Sequence, residues 1–462
     1  MEKFDVIVIG GGPGGYVAAI RAAQLGLKTA VVEKEHLGGI CLNWGCIPTK
    51  ALLKSAELLE KIKHADEFGI NVVKPNFDIE KIVARSRDVS TKLVGGIKGL
   101  LKKNKVTVFE GVAKIINPKL VSVASKDQNT SLEAKNIIIA TGARARVLDG
   151  FEPNGKNIWT YREALVPKSV PKSMIIVGSG AIGIEFASFY NTLGVKVTVL
   201  EAASRILPVE DIEISNLAKK AFESKGIVFY TGVKLKKQIR DASELKLEFM
   251  SAEKESSLNT EVLLMAVGVV ANTENIGLEN TKVKLDNAHI VTNGFTQTAE
   301  ANIYAIGDVA SAPWLAHKAS HEGVIAVEHI AGKNPHKINK LNIPGCTYSS
   351  PQIASVGLTE EAAIASGYQL KIGRFPFYAN GKALILGDSD GLIKTIFDAK
   401  TGELLGAHMI GSDVTELIHS YVVAKSMEGT ELDLMEAILA HPTLSEMLHE
   451  SVLQAYGKAI HI

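Results

Sequence analysis

Two cysteines five residues apart raise the first chemical question. Cys41 and Cys46 stand in Gly38-Gly39-Ile40-Cys41-Leu42-Asn43-Trp44-Gly45-Cys46-Ile47-Pro48-Thr49-Lys50. A disulfide needs the two Cα atoms within about 7 Å, and a distorted turn can supply that at this offset. A metal pair would need further ligands at known spacings, and no CxxC pair or nearby His supplies them. Two unpaired buried thiols are the other reading. The segment begins five residues after the end of a nucleotide-binding pattern, at Glu33, and that position favours a redox disulfide. Lys50, four residues past Cys46, shares its face on a helix. A cation there favours a thiolate.

A second constellation is His441-Pro442-Thr443-Leu444-Ser445-Glu446. Pro442 restricts the backbone beside the histidine. Glu446 reads two ways: as the capping-box acid of a helix capped by Thr443, or as a carboxylate that orients His441 and raises its basicity. His317 and His321 could share a helix face, but a metal needs more ligands; packing or a contact near a nucleotide is the expectation. Cys346 has no sequence partner and reads as a small buried hydrophobe.

The elements that must position these groups come from an internal repeat. Residues 5–33 and 173–201 each run from an apolar strand through a glycine turn and a small-residue helix to a second strand ending in an acid. Gly10, Gly12 and Gly15 match Gly178, Gly180 and Gly183; Glu33 matches Glu201; first glycine and acid are 23 residues apart in both copies. Each is a βαβ dinucleotide fingerprint. The glycines allow a tight turn, close approach to a pyrophosphate and close helix–strand packing, and the carboxylate accepts from ribose hydroxyls. Two further apolar runs, Ile137–Gly142 and Ile303–Asp308, flank the second copy. The simplest topology therefore inserts the second nucleotide domain into the first. Asp308 then lies at the carboxyl end of a strand, where open α/β sheets bind ligands.

After about residue 340 the pattern changes. Alternating runs at Leu370–Phe377 and Gly391–Asp398, turn signals at Asn380-Gly381 and Thr401-Gly402, and helical patterns at Val414–Lys425 and Leu444–Tyr456 predict an α+β domain with an antiparallel sheet. The expected boundaries are 1–145, 146–272, 273–340 and 341–462.

Composition narrows the function classes. Lys and Arg number 51 against 50 Asp and Glu in 462 residues, a net charge of +1. Nucleic-acid binding would need a basic excess or stripe. The longest apolar candidate, Val262–Ala271, is too short to span a bilayer. No secretory signal pattern is read at the start. Three cysteines make no disulfide scaffold. Cytoplasm is the expected compartment, with the mitochondrial matrix as the alternative for a processed chain.

Across essentially its whole length the sequence resembles the flavin-dependent pyridine nucleotide-disulfide oxidoreductases, and among them the branch that oxidises dihydrolipoamide. The carrying motifs are the fingerprint at 10–15, GGICLNWGCIPTK at 38–50, ATG at 140–142, the fingerprint at 178–183, AIGD at 305–308 and HPTLSE at 441–446. The resemblance implies FAD at the first fingerprint, with Gly10, Gly12, Gly15, Glu33, Lys50, Ala113, Thr141, Gly142, Asp308 and Ala316 as its contacts. It implies NAD at the second, with Gly178, Gly180, Gly183, Glu201 and Gly268. Cys41 would exchange with substrate, Cys46 would face the flavin, and Lys50 would pair with Glu185. His441, held by Glu446, would be the base and reach the disulfide of the partner subunit of a homodimer. The implied reaction oxidises protein-bound dihydrolipoamide to lipoamide and reduces NAD. The partner would be the lipoyl domain of an acyltransferase or of the glycine-cleavage carrier protein; no metal, membrane or nucleic acid is expected. The sister reductases fit less well: Glu201 opposes NADPH, and no C-terminal cysteine pair exists; the other alternative, a flavoprotein scaffold that docks an acyltransferase core, leaves Cys41, Cys46 and His441 without a role. The family's GRxPNT-like stretch here reads Gly268-Val269-Val270-Ala271-Asn272-Thr273, without its Arg and Pro. Only Arg205 is near enough to Glu201 to neutralise a 2′-phosphate.

Overall fold

In the computed structural model, which describes residues 1–126, 128–240 and 245–462, the chain packs into two units. The first comprises Met1–Ala51, Glu80–Arg146 and Gly268–Ile338; the second comprises Leu52–Ile79, Val147–Val267 and Asn339–Ile462.

The first unit is built on a seven-stranded sheet, and the first βαβ element of the sequence, with the two apolar runs that flank the second, finds its place in it. Strand Glu2–Ile9 lies between Thr29–Glu33 and Asn129–Ile139, parallel to both. Strand Asn129–Ile139 divides its other edge. Residues 129–133 pair antiparallel with Leu120–Ala124, and residues 137–139 pair parallel with Ile303–Ala305. The late strand therefore returns to the first sheet, and the second nucleotide fold is an insertion. Val6, Ile7, Val8 and Ile9 are all buried because both faces are covered. Ile7 and Ile9 join Ile137, Ile139 and Ile303 on one face. Val6 and Val8 meet Ala18, Ala22, Ala326 and Val327 on the other. Each such side chain contributes about 1.5–3 kcal/mol by leaving water. Helices Pro13–Gln24 and Ala316–Ile330 touch through glycine: a Cβ on Gly14 would meet Ala319 O at 2.9 Å, and one on Gly323 would meet Gly14 O at 2.7 Å.

The second unit holds a five-stranded parallel sheet ordered Val228–Tyr230, Lys196–Leu200, Ser173–Val177, Val262–Met265, Ile158–Trp159. It also holds a five-stranded antiparallel sheet ordered Gly345–Thr347, Gln352–Gly357, Leu404–Gly411, Leu392–Asp398, Leu370–Pro376. Helices Val414–Ser426 and Glu446–Ala455 cover that sheet through Ile418, Tyr421, Met447 and Val452. The expected α+β C-terminal part is thus present. Thr401-Gly402 is a turn between strands, with Gly402 at φ +76°. Asn380-Gly381 is not. Asn380 instead caps the short helix Gly381–Leu386, its side chain accepting from Ala383 N–H at 2.9 Å. Asn serves both roles because its carbonyl mimics a backbone acceptor. The apolar run 262–271 is two short strands, Val262–Met265 and Val269–Ala271. Among the described residues no helix is long and apolar enough to cross a membrane.

Candidate active site

The first fingerprint is shaped by contacts that only glycine permits. Gly10 has φ +107°, and a Cβ there would stand 2.2 Å from Ala140 O; on Gly15 it would stand 2.0 Å from Gly10 O. Gly12 differs, since the nearest atom to its would-be Cβ is Gly39 Cα at 3.9 Å. It is the N-cap of helix Pro13–Gln24 and makes no side-chain cap. The helix end therefore offers N–H groups and its positive dipole to an anion. Glu33 closes the unit. Its Oε2 accepts from Gly11 N–H at 2.7 Å and its Oε1 from Glu35 N–H at 2.8 Å. Gly111 N–H donates to Glu33 O at 2.8 Å, which brings the strand carrying buried Ala113 alongside. Gly142, at φ +67°, faces open space. Thr141 and Asn272 bond twice: the Thr141 hydroxyl to Asn272 O at 2.7 Å, and the Asn272 amide to Thr141 O at 2.9 Å. Ala316 is the first residue of helix Ala316–Ile330.

The second fingerprint repeats the geometry. A Cβ on Gly178 (φ +102°) would meet Ala266 O at 2.3 Å, one on Gly183 would meet Gly178 O at 2.0 Å, and Gly180 faces open space. Glu201 accepts from Ser179 N–H and Ala203 N–H, both at 2.7 Å. Arg205 points elsewhere, to Glu361 at 3.0 Å and to Pro208 O. Gly268, at φ +97°, begins a stretch that belongs to the first unit. Beyond it Val269–Ala271 pairs with Ala143–Ala145. On that facing strand Arg144 reaches Asn272 Oδ1 at 3.1 Å and Glu274 at 2.8 Å.

Cys41 lies on helix Gly39–Trp44 and Cys46 opens helix Cys46–Lys63. Gly45 breaks the chain between them at φ −143°, ψ −117°. Both cysteines are free thiols in this structure, so the expected disulfide is not what it holds. The side chains are nonetheless hydrogen-bonded to one another. That contact, then burial, pushes the Cys41 thiol far up; Lys50 acts in the opposite sense and Asp308 in the same. The break at Gly45 thus achieves the closeness that the spacing required.

His441 Nδ1 and Glu446 Oε1 are in contact, while the His441 side chain is 79% exposed. The His441–Pro442 bond is cis. The capping-box reading of Glu446 needs correction. The helix is capped at Ser445, so Glu446 is its first residue, not its third. Its Oε2 accepts from Thr443 N–H at 2.8 Å, while the Thr443 hydroxyl bonds Ala440 O at 2.7 Å. Burial raises the Glu446 carboxyl, but the Thr443 N–H and His441 outweigh it and hold it below the usual range. Glu185 is buried on helix Ala181–Thr192 and accepts from Tyr348 N–H at 2.9 Å.

Sequence reasoning passed over an ion pair. Lys318 and Glu322, both almost fully buried, meet at 2.8 Å. Glu322 also takes the Gly307 N–H at 2.7 Å, beside Asp308. Burial raises the Asp308 carboxyl; Lys318 opposes this and Glu322 adds to it. An i,i+4 Lys–Glu spacing was the available signal, but it also describes any solvated helix face. The neighbouring His317 and His321 are exposed on helix Ala316–Ile330. Cys346 is half-buried against the C-terminal core. Among the described residues no cluster of three or more His, Cys, Asp or Glu is placed to hold a metal ion.

Residues 4–323 match the pyridine nucleotide-disulphide oxidoreductase family, and residues 343–452 match its dimerisation domain. The chain belongs to this family. Its relatives at high identity include dihydrolipoyl dehydrogenases of Zymomonas mobilis (54% identical, 100% of this chain and 99% of that protein) and Bacillus subtilis (47%, 99% and 99%). The mitochondrial dihydrolipoyl dehydrogenase of Pisum sativum is 38% identical over 100% of this chain and 93% of that protein. Among solved structures, LpdA from Mycobacterium tuberculosis matches with TM-score 0.91 at 25% identity, covering 98% and 99% of the two chains. The flavoprotein disulfide reductase RclA from Escherichia coli matches at 0.88 and 26%, covering 98% and 99%. Pyridine nucleotide-disulphide oxidoreductases of this kind use FAD and NAD. The residues present fit both. Each fingerprint combines an uncapped helix start, an open central glycine and an acid at the strand end. The C-terminal domain is the family's dimerisation domain.

Proposed function

We propose that this oxidoreductase oxidises dihydrolipoamide carried on a lipoyl domain and passes the electron pair to NAD. The carrying observation is the hydrogen-bonded Cys41–Cys46 pair, in a chain 54% identical along its length to a dihydrolipoyl dehydrogenase. His441 takes the proton from one substrate thiol, because the thiolate is the species that attacks sulfur. Glu446 orients the ring and offsets the charge it gains. The substrate thiolate attacks Cys41 of the oxidised pair, the Cys41–Cys46 bond breaks, and Cys46 leaves as a thiolate. The second substrate thiol then loses its proton and attacks the substrate sulfur of the mixed disulfide, and Cys41 leaves as a thiolate. Lipoamide closes its ring, and the pair is left reduced by two electrons. FAD, when bound at the first fingerprint, supplies the two-electron chemistry that links this dithiol to the nicotinamide.

The high exposure of His441 suits a base that serves the disulfide of the partner subunit in a homodimer. Residues 1–145 and 273–340 would form the FAD domain, 146–272 the NAD domain and 341–462 the dimer interface. The compartment is the cytoplasm. The partner is a lipoyl domain of an acyltransferase or of the glycine-cleavage carrier protein. Turnover of dihydrolipoamide with NAD is the test, compared with glutathione disulfide plus NADPH. Preference for the second couple overturns the reading.

A further inference from the structure

The two fingerprint acids hold their surroundings differently. An ionised carboxylate has about four lone-pair positions. Glu33 has one taken on each oxygen, by Gly11 N–H at 2.7 Å and by Glu35 N–H at 2.8 Å. One position stays open on each oxygen, so two adjacent ribose hydroxyls can each find an oxygen. Glu201 has a third donor. The Ser179 hydroxyl joins the Ser179 N–H on Oε2, at 2.6 and 2.7 Å, and Ala203 N–H occupies Oε1 at 2.7 Å. Oε2 is then full, and Oε1 alone has a free position.

This difference is built in on both sides. Ser179 is fully buried, so its hydroxyl has little alternative. The equivalent residue of the first fingerprint is Gly11, which has no hydroxyl to offer; a Cβ there would crowd the end of the Leu37 side chain, meeting Cδ2 at 2.7 Å.

We propose that Ser179 is a positioning residue that restricts Glu201 to one ribose hydrogen bond, through Oε1, and so weakens the hold on the nicotinamide nucleotide. This rests on the reading that the second fingerprint binds NAD. The chemical sense follows from the two roles: a resident flavin nucleotide benefits from both carboxylate oxygens, whereas a nucleotide that must leave each turnover does not.

The test is equilibrium binding of NADH and of ADP-ribose to the FAD-loaded protein, wild type against Ser179→Ala. Removing the hydroxyl reopens Oε2, and both ligands should bind about tenfold tighter, the scale of one hydrogen bond to a charged group. NADH dissociation should slow by a similar factor, with FAD content unchanged. Structural damage at a buried site weakens binding, so tightening is a signature that damage does not produce. If Ser179→Ala does not fold, Ser179→Gly copies the residue of the first fingerprint and should tighten binding equally. Unchanged or weaker binding in a folded variant overturns the proposal alone. A wild type that binds neither ligand overturns the NAD assignment as well.

Discussion

His441 Nδ1 lies 2.9 Å from Glu446 Oε1, and the second oxygen of the same carboxylate takes the Thr443 N–H at 2.8 Å. One side chain therefore ties the histidine to the start of helix Glu446–Ala455. A positioned base contributes about 10²–10⁴-fold. His441→Gln should cut dihydrolipoamide oxidation by that order with FAD content unchanged. Activity near wild type would leave Glu446 with a purely structural role.

The cysteine pair is tested by electron counting. Anaerobic titration of the oxidised protein with dithionite should consume about four electrons per subunit, two for each two-electron centre. Cys46→Ser should take up about two. A wild type that stops at two has no redox disulfide.

Glu201 should set cofactor choice. Arg205 is engaged by Glu361, so it is not free to neutralise a 2′-phosphate. The lost ribose hydrogen bond and the charge repulsion together predict a preference for NAD over NADP above about a hundredfold in kcat/KM. Glu201→Ala should lose most of it. A variant that keeps the full preference removes this carboxylate as its source.

Two features of the sequence explain why some of this was legible and some was not. The fingerprints were readable because glycine at Gly10 and Gly178 is forced by contacts near 2 Å, so the residue type itself encodes the geometry. The return of Ile303–Ala305 to the first sheet followed from two apolar runs ending in small residues. The Lys318–Glu322 pair was not legible, because spacing carries no information on burial. The state of Cys41 and Cys46 was not legible either, since a thiol pair and a disulfide share one sequence. Glu446 was placed on the right helix but at the wrong position, because Thr and Ser both serve as N-caps and Thr443 and Ser445 are only two residues apart.

Breaking the Lys318–Glu322 pair should be costly. Glu322→Gln takes from buried Lys318 its ion-pair partner at 2.8 Å, an effect of about 3–5 kcal/mol. The release of FAD on heating should then shift to lower temperature. The double variant Lys318→Met with Glu322→Leu should recover much of the loss. A single variant as stable as wild type would show that the pair carries little of the first unit's stability.

Glu210 gives the chain a pH dependence of opposite sign to that of a salt-bridged acid. Burial, opposed by a Ser355 hydrogen bond and reinforced by Asp211, pushes its carboxyl from 4.5 up to about 7. Its Oε2 has no partner. The folded chain holds the proton more tightly than the unfolded one, so stability falls as pH rises from about 4.5 through about 7. Glu210→Gln removes that loss. Its advantage over wild type in urea unfolding should be larger at pH 8 than at pH 5, by about 2–3 kcal/mol. Equal differences at both values would assign the group an ordinary carboxyl.

The strand Asn129–Ile139 pairs with Glu2–Ile9 along one edge, but on its other edge residues 137–139 receive their parallel neighbour only when Ile303–Ala305 arrives. On the ribosome, at about 5–20 residues per second, that interval lasts on the order of ten seconds. Throughout it Ile137, Ile138 and Ile139 present an unpaired sheet edge, the kind of template on which nascent chains aggregate. Translation order thus makes the inserted nucleotide fold a delay line, and a ribosome stalled within it would hold the first sheet open at the strand that leads to Thr141 and Gly142.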